Sequence, residues 1–259
     1  MAIAAKSAHD LSREEIANDL RTLALILNQE ALCLDTSPLQ SAAAECQSHS
    51  GNLWGYRLVN LRIALGSVEG AFPTKRHSIV CGLNCSLKSS FKVPSYCDPY
   101  KTLSVDFMFE GTSPGLSKPF RQAWHLDRHI TSTGSNPPKN LHPLYHFNFG
   151  GKHMTQFAND KRVKCSCHTF GDLLLLEQPR FLHPPLDAIL AVDLILSNCS
   201  GDKWKRLRTS SQYIDLIRRW QKKSWESFSV VLASHWNAGK IPDWTPTDMT
   251  PVDIYPALA

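Results

Sequence analysis

Three stretches decide the fold: Val105-Asp106-Phe107-Met108-Phe109, Trp124-His125-Leu126-Asp127-Arg128-His129 and Tyr145-His146-Phe147-Asn148-Phe149. In the first, Val105, Phe107 and Phe109 alternate with Asp106 and Met108, the period-two pattern of a strand with one buried face. In the second, Trp124, Leu126 and Arg128 alternate against His125, Asp127 and His129. In the third, Tyr145, Phe147 and Phe149 alternate against His146 and Asn148. These runs belong to four β-rich segments, 78–88, 102–110, 122–130 and 142–149, separated by loops rich in Pro, Gly, Ser and Asn. No stretch between them is long enough for a helical crossover, so the pattern predicts an antiparallel meander.

Outward from the sheet the periodicity turns helical. Ser12 with Glu15 reads as a capping box opening a helix over 12–32, with Ile16, Leu20, Leu23 and Leu27 as its apolar stripe. Ser37-Pro38 opens a second helix to about Cys46, with proline in the first turn. Leu53, Tyr56, Val59 and Ile63 predict a third, ending near Gly66, which makes the first 70 residues a helical scaffold. On the other side, Leu173 to Leu176 reads as a buried strand. Pro184-Pro185 followed by Asp187 starts a helix carrying Ile189, Leu190, Leu194 and Leu196. Ser210 or Ser211 caps a last helix to about Ser234, and the segment from Asn237 onward, with Pro242, Pro246, Pro251 and Pro256, reads as an extended tail. The expected class is α+β: N-terminal helices, a central mainly antiparallel sheet and C-terminal helices in one domain over 1–259.

Composition sets the limits. The chain has 259 residues, 42% hydrophobic and 20% charged, with a net charge of +5. That excludes disordered, collagen-like and coiled-coil classes. The N-terminus lacks the apolar core of a signal peptide, and no run reaches the roughly 18 apolar residues of a spanning helix, so a cytoplasmic protein without a membrane partner is expected. The eight cysteines then read as reduced core thiols or metal ligands. Cys81-x3-Cys85 and Cys165-x-Cys167-His168 are the pairs that zinc would use, although neither has the usual two-residue spacing.

The stretch Pro179-Arg180-Phe181-Leu182-His183-Pro184-Pro185-Leu186-Asp187, followed by Leu190-Ala191-Val192-Asp193-Leu194-Ile195-Leu196-Ser197-Asn198, carries a family likeness. With its surroundings over 120–230 it resembles uncharacterised bacterial proteins that pair a PRxxHPPxD start with an LAxDxxLSN helix, often downstream of a histidine-bearing sheet. The resemblance implies a bacterial origin. No activity is attached to that group, so it implies no catalytic residues.

Chemistry concentrates in two places. Six of the eleven histidines lie between His125 and His168. On a strand, His125, Asp127 and His129 project from one face, alternate residues being about 6–7 Å apart. A neighbouring strand would bring His146 to the same face. Two imidazoles and a carboxylate suit a divalent metal such as Zn²⁺ or Mn²⁺, which would activate water, and Asp127 could equally orient a histidine acting as a base. A plain polar sheet surface has the same pattern. The second place is basic: Lys203, Lys205, Arg206, Arg208, Arg218, Arg219, Lys222 and Lys223 face only Asp202 and Asp215 over 201–225. Trp204, Trp220 and Trp225 are interleaved, so nucleic acid, an acidic protein or plain solvent all fit this helix face. Without a phosphate-binding glycine loop, nucleotide-loop enzymes are excluded. Two functions follow: a binding or accessory subunit of a bacterial assembly, contacting a protein or nucleic acid through the basic end, or a metal-dependent, nuclease-like hydrolase using His125, Asp127, His129 and His146.

Overall fold

A computed structural model describes residues 6–68, 78–93, 98, 100–112, 120–128, 144–150 and 181–236. Two helices, α1 (Ala8–Gln29) and α2 (Ser37–Ser48), precede six strands: β1 (Leu53–Gly66), β2 (Ser78–Ser90), β3 (Thr102–Thr112), β4 (Phe120–Arg128), β5 (Tyr145–Phe149) and β6 (Phe181–Leu182). Then come α3 (Ala188–Cys199), α4 (Gly201–Leu207), α5 (Ser211–Gln221), a π-turn (Lys222–Glu226) and α6 (Ser227–Trp236). The strands form one sheet in chain order, every neighbour antiparallel. The chain is therefore α+β, with the meander that the alternating runs predict. Among the described residues no helix is long and apolar enough to cross a membrane.

Alternation gives the sheet two unlike faces. Tyr56, Leu83, Val105, Phe107, Leu126 and Phe147 are buried on one face, and the helices cover it. Trp54 meets Trp220 of α5 edge-on at 6.4 Å, and Tyr145 meets Phe228 of α6 at 5.5 Å. One hydrophobic cluster joins this face to Leu20, Leu23 and Leu27 of α1 and to Ile189, Val192 and Ile195 of α3. The opposite face carries Asp106, His125, Asp127, His146 and Asn148, whose Cα partners interleave with those of the buried face.

Residues 53–66 are a strand, which corrects the expected third helix. Trp54, Tyr56 and Leu58 are buried and then, one position out of phase, Leu61, Ile63 and Leu65. The shift is a β-bulge: Leu58 pairs with Cys85 and Leu61 with Leu83, so β1 spends three steps where β2 spends two. Asn60 sits at φ 54°, and its amide donates to Asn84 Oδ1 at 2.8 Å. The extra residue places Trp54, Leu58, Leu61 and Leu65 at helical intervals, which is why the segment imitates a helix. Val59, assigned to the helix's apolar stripe, is 66% exposed.

Both ends of α1 also move. Its capping box lies one turn earlier than Ser12 and Glu15: Asp10 N donates to Ser7 Oγ at 3.2 Å and Ser7 N to Asp10 Oδ2 at 3.0 Å. The Ser12 hydroxyl instead donates to Ala8 O. Buried Arg13 then ties α1 to the start of β1 by donating to Gly51 O and Leu53 O. The free edge of β1 is closed by α2, since Arg57 N donates to Glu45 Oε2, and by the bridge of Cys33 to Ile63. The α3 start matches the Pro184-Pro185-Asp187 signal: Asp187 is the N-cap and accepts from Ile189 N at 3.1 Å and Leu190 N at 3.0 Å. The expected strand at Leu173 to Leu176 and the tail from Asn237 lie outside the described residues.

Candidate functional site

Strand register assembles a cluster on the polar face. Asp106 of β3 stands opposite His125 of β4, and Asp127 of β4 stands opposite His146 of β5. His125 is held from both sides: its Nδ1 lies 2.6 Å from Asp106 Oδ1 and its Nε2 3.2 Å from Asp127 Oδ2. Asp127 Oδ1 in turn lies 2.8 Å from His146 Nε2. The result is a continuous chain, Asp106–His125–Asp127–His146, across three strands. Both imidazoles are buried, whereas the carboxylates of Asp106 and Asp127 are 37% and 34% exposed. The polar groups are thus fixed from below and reachable from solvent through the acids.

The charge state follows from the geometry. An imidazole with a carboxylate at each nitrogen satisfies both only by carrying a proton on both. Burial alone would lower the His125 pKa, but Asp106 and Asp127 outweigh it and hold it up at about 9. Burial likewise would raise the Asp127 carboxyl, yet the two imidazoles keep it well below the usual carboxylate range. Asn148 Oδ1, opposite His125, is a buried acceptor without a hydrogen-bond donor among the described residues.

Of the four side chains expected to gather here, the structure brings together His125, Asp127 and His146; His129 lies outside the described residues. Asp106 was missed. Its place in the alternation of 105–109 was visible, but only the β3–β4 register reveals that it meets His125. The donors do not fit Zn²⁺ or Mn²⁺. Both His125 nitrogens are engaged by carboxylates, which leaves it no lone pair for a metal. Among the described residues no group of three or more His, Cys, Asp and Glu side chains could hold an ion. The Cys81/Cys85 zinc pair is corrected as well: both thiols are buried on the core face of β2, where burial pushes their pKa values up and keeps them protonated. Cys165, Cys167 and His168 lie outside the described residues.

The basic segment belongs to the helical layer, on the far side of the sheet from the cluster, and it is largely spent on internal contacts. Lys203 Nζ donates to Ala64 O at 3.0 Å, Arg206 pairs with Glu30 at 2.7 Å, and Arg219 pairs with Asp19 at 2.6 Å. Arg208 reaches Asp193 at 3.5 Å and lies over the Trp204 ring. Lys223, grouped with this basic run by its sequence, turns inward. The π-turn alters the angular spacing after Gln221, and Lys223 Nζ lies 4.4 Å from the Trp54 ring centroid and 5.0 Å from that of Trp220. Only Lys205, Arg218 and Lys222 are exposed and without an ion pair among the described residues.

Compared with known proteins, the chain matches no family model, no curated protein and no solved structure.

Proposed function

We propose that the protein is a hydrolase working by metal-independent acid–base chemistry from the polar face of the sheet. The observation that carries this reading is the chain Asp106–His125–Asp127–His146, which spans three strands and reaches solvent through its two carboxylates. Asp127, 2.8 Å from His146 Nε2, orients that imidazole within the cluster, and a carboxylate-oriented imidazole is the pairing that general acid–base chemistry uses. The exposed part of the cluster is the carboxylates of Asp106 and Asp127, and Arg121 on the same face is paired with Glu110 at 3.1 Å, which disfavours phosphodiesters. Neutral or cationic esters, amides and glycosides with N–H or O–H groups fit better than nucleic acid.

The accessory-subunit role, in a bacterial assembly with a protein or nucleic-acid partner, draws less support, since of the cations within 201–225 only Lys205, Arg218 and Lys222 are exposed and without an ion pair among the described residues. The test is hydrolysis of chromogenic esters, amides and glycosides by the full chain, with and without EDTA. EDTA-insensitive turnover that falls about 10²–10⁴-fold in Asp127→Asn and His146→Gln, with unchanged circular dichroism, is expected. No turnover on any of the three classes, turnover that both variants retain, or loss with EDTA and recovery with Zn²⁺ or Mn²⁺ would overturn the proposal.

A further inference from the structure

A second site lies in the helical layer, away from the polar face. Between α1 and the α5/π-turn junction is a cavity of about 700 Å³, walled by Ile16, Phe91 and Trp220, with Glu15 and Lys222 among its lining residues. Lys223 also lines it. Its amine rests against two indole faces, and among the described residues it makes no hydrogen bond or ion pair. A lysine that snorkels reaches water or a carboxylate with its charged end; this one ends on aromatic rings at the edge of a cavity. The π-turn over Lys222–Glu226 sets that direction, and such turns recur at functional sites.

We propose that Lys223 is a nucleophilic amine that captures an anionic aromatic aldehyde in this cavity as an imine. The neutral amine nitrogen bonds to the carbonyl carbon, the carbon–oxygen bond breaks, and the oxygen leaves as water with both amine hydrogens. No oxidant or reductant is needed. Ile16, Phe91 and Trp220 give the ring an apolar wall, and exposed Lys222 offers a cation to the acid group. Burial brings the Lys223 pKa down to about 8, against the opposing pull of Asp19 and Glu15 on α1, Cys46 on α2 and Asp187 at the start of α3. Asp19 is already occupied by Arg219 and by Trp220 Nε1. At pH 7.5 roughly a quarter of Lys223 is then neutral, about 10²-fold more than an ordinary lysine.

The probe is pyridoxal phosphate at pH 7.5, trapped with borohydride and mapped by peptide mass spectrometry on the intact chain. The expected result is one saturable adduct at Lys223, at least ten times more abundant than those at Lys203, Lys205 and Lys222. Lys222→Ala should weaken capture without moving it, and Lys223→Met should abolish it. Adduct spread evenly over the exposed lysines, or an unlabelled Lys223 in the wild type, overturns the proposal even if Lys223→Met fails to fold.

Discussion

Replacing His125 with glutamine tests the charge logic of the cluster directly. In the folded chain the His125 pKa is about 9, against 6.5 for an ordinary imidazole. The folded state therefore binds the proton more tightly than the unfolded chain. The stabilisation is fully present below pH 6.5 and is lost as pH rises through 9. At pH 6.5 the shift corresponds to about 3 kcal/mol, and about 1.6 kcal/mol of it disappears between pH 6.5 and 8. The matching depression of Asp127 is the same interaction seen from its partner and adds nothing further. Lys223, lowered to about 8, pulls the other way, but only by about 0.4 kcal/mol over this window. It cancels when variant and wild type are compared. Urea unfolding at pH 6.5, 7.2 and 8.0 should show His125→Gln less stable by about 3 kcal/mol at the lowest pH, with the gap closing by about half at the highest. A gap that stays constant across the three pH values refutes the imidazolium held between two carboxylates.

Four further outcomes are expected. A Cβ at Gly55 would lie 2.4 Å from the Leu87 carbonyl oxygen, so Gly55→Ala must push β1 from β2 and should lower the urea midpoint by the equivalent of about 1–3 kcal/mol. Asp187→Ala strips the α3 cap and leaves the buried Tyr56 hydroxyl, which donates to it at 3.1 Å, without that acceptor, at a cost of about 2–4 kcal/mol by chemical denaturation. Burial lifts the Asp187 carboxyl from 3.8 to about 6, so its protonation favours the fold and stability contributed there falls as pH rises from 3.8 to 6; Asp187→Asn should remove that slope. Asp193 accepts from Trp204 Nε1 and the Tyr213 hydroxyl, both at 2.8 Å, so Asp193→Ala should speed amide exchange in α4 and cost about 2–3 kcal/mol.

What the sequence discloses and what it conceals have separate physical causes. Strict alternation in 105–109, 124–128 and 145–149 can come only from strands with one buried face, so the sheet and its polar side are readable there. In β1 the bulge at Asn60 breaks that alternation, and the apolar spacing becomes indistinguishable from a helix's. Asp106 was invisible as a site residue because sequence gives the face of a side chain but not its neighbour across a strand boundary. Helical spacing carried through 222–226 would keep Lys223 beside Arg219 on the basic face, but the backbone there becomes a π-turn. Tertiary pairing explains the basic run: Glu30, Asp19 and Asp193, all distant in sequence, neutralise cations that look unopposed within 201–225.

Consecutive residues on β4 and β5 serve opposite faces, so the cluster depends on register. The Asp127–His146 pair adjoins the Arg128–Tyr145 pair in the ladder. A slip of one residue would turn the acids and imidazoles toward the helices and the aromatic rings toward solvent. On the core side this register is pinned by Asp98, which pairs with Arg128 Nε at 2.6 Å and accepts from the Tyr145 hydroxyl. Arg128 and Asp98 are nearly buried, so their charges have little solvent to fall back on, and an alternative pairing would strand them. The polar face is therefore positioned from the opposite side of its own sheet. The ion pair that looks least connected to the chemistry sets the one-residue phase on which the chain from Asp106 to His146 depends.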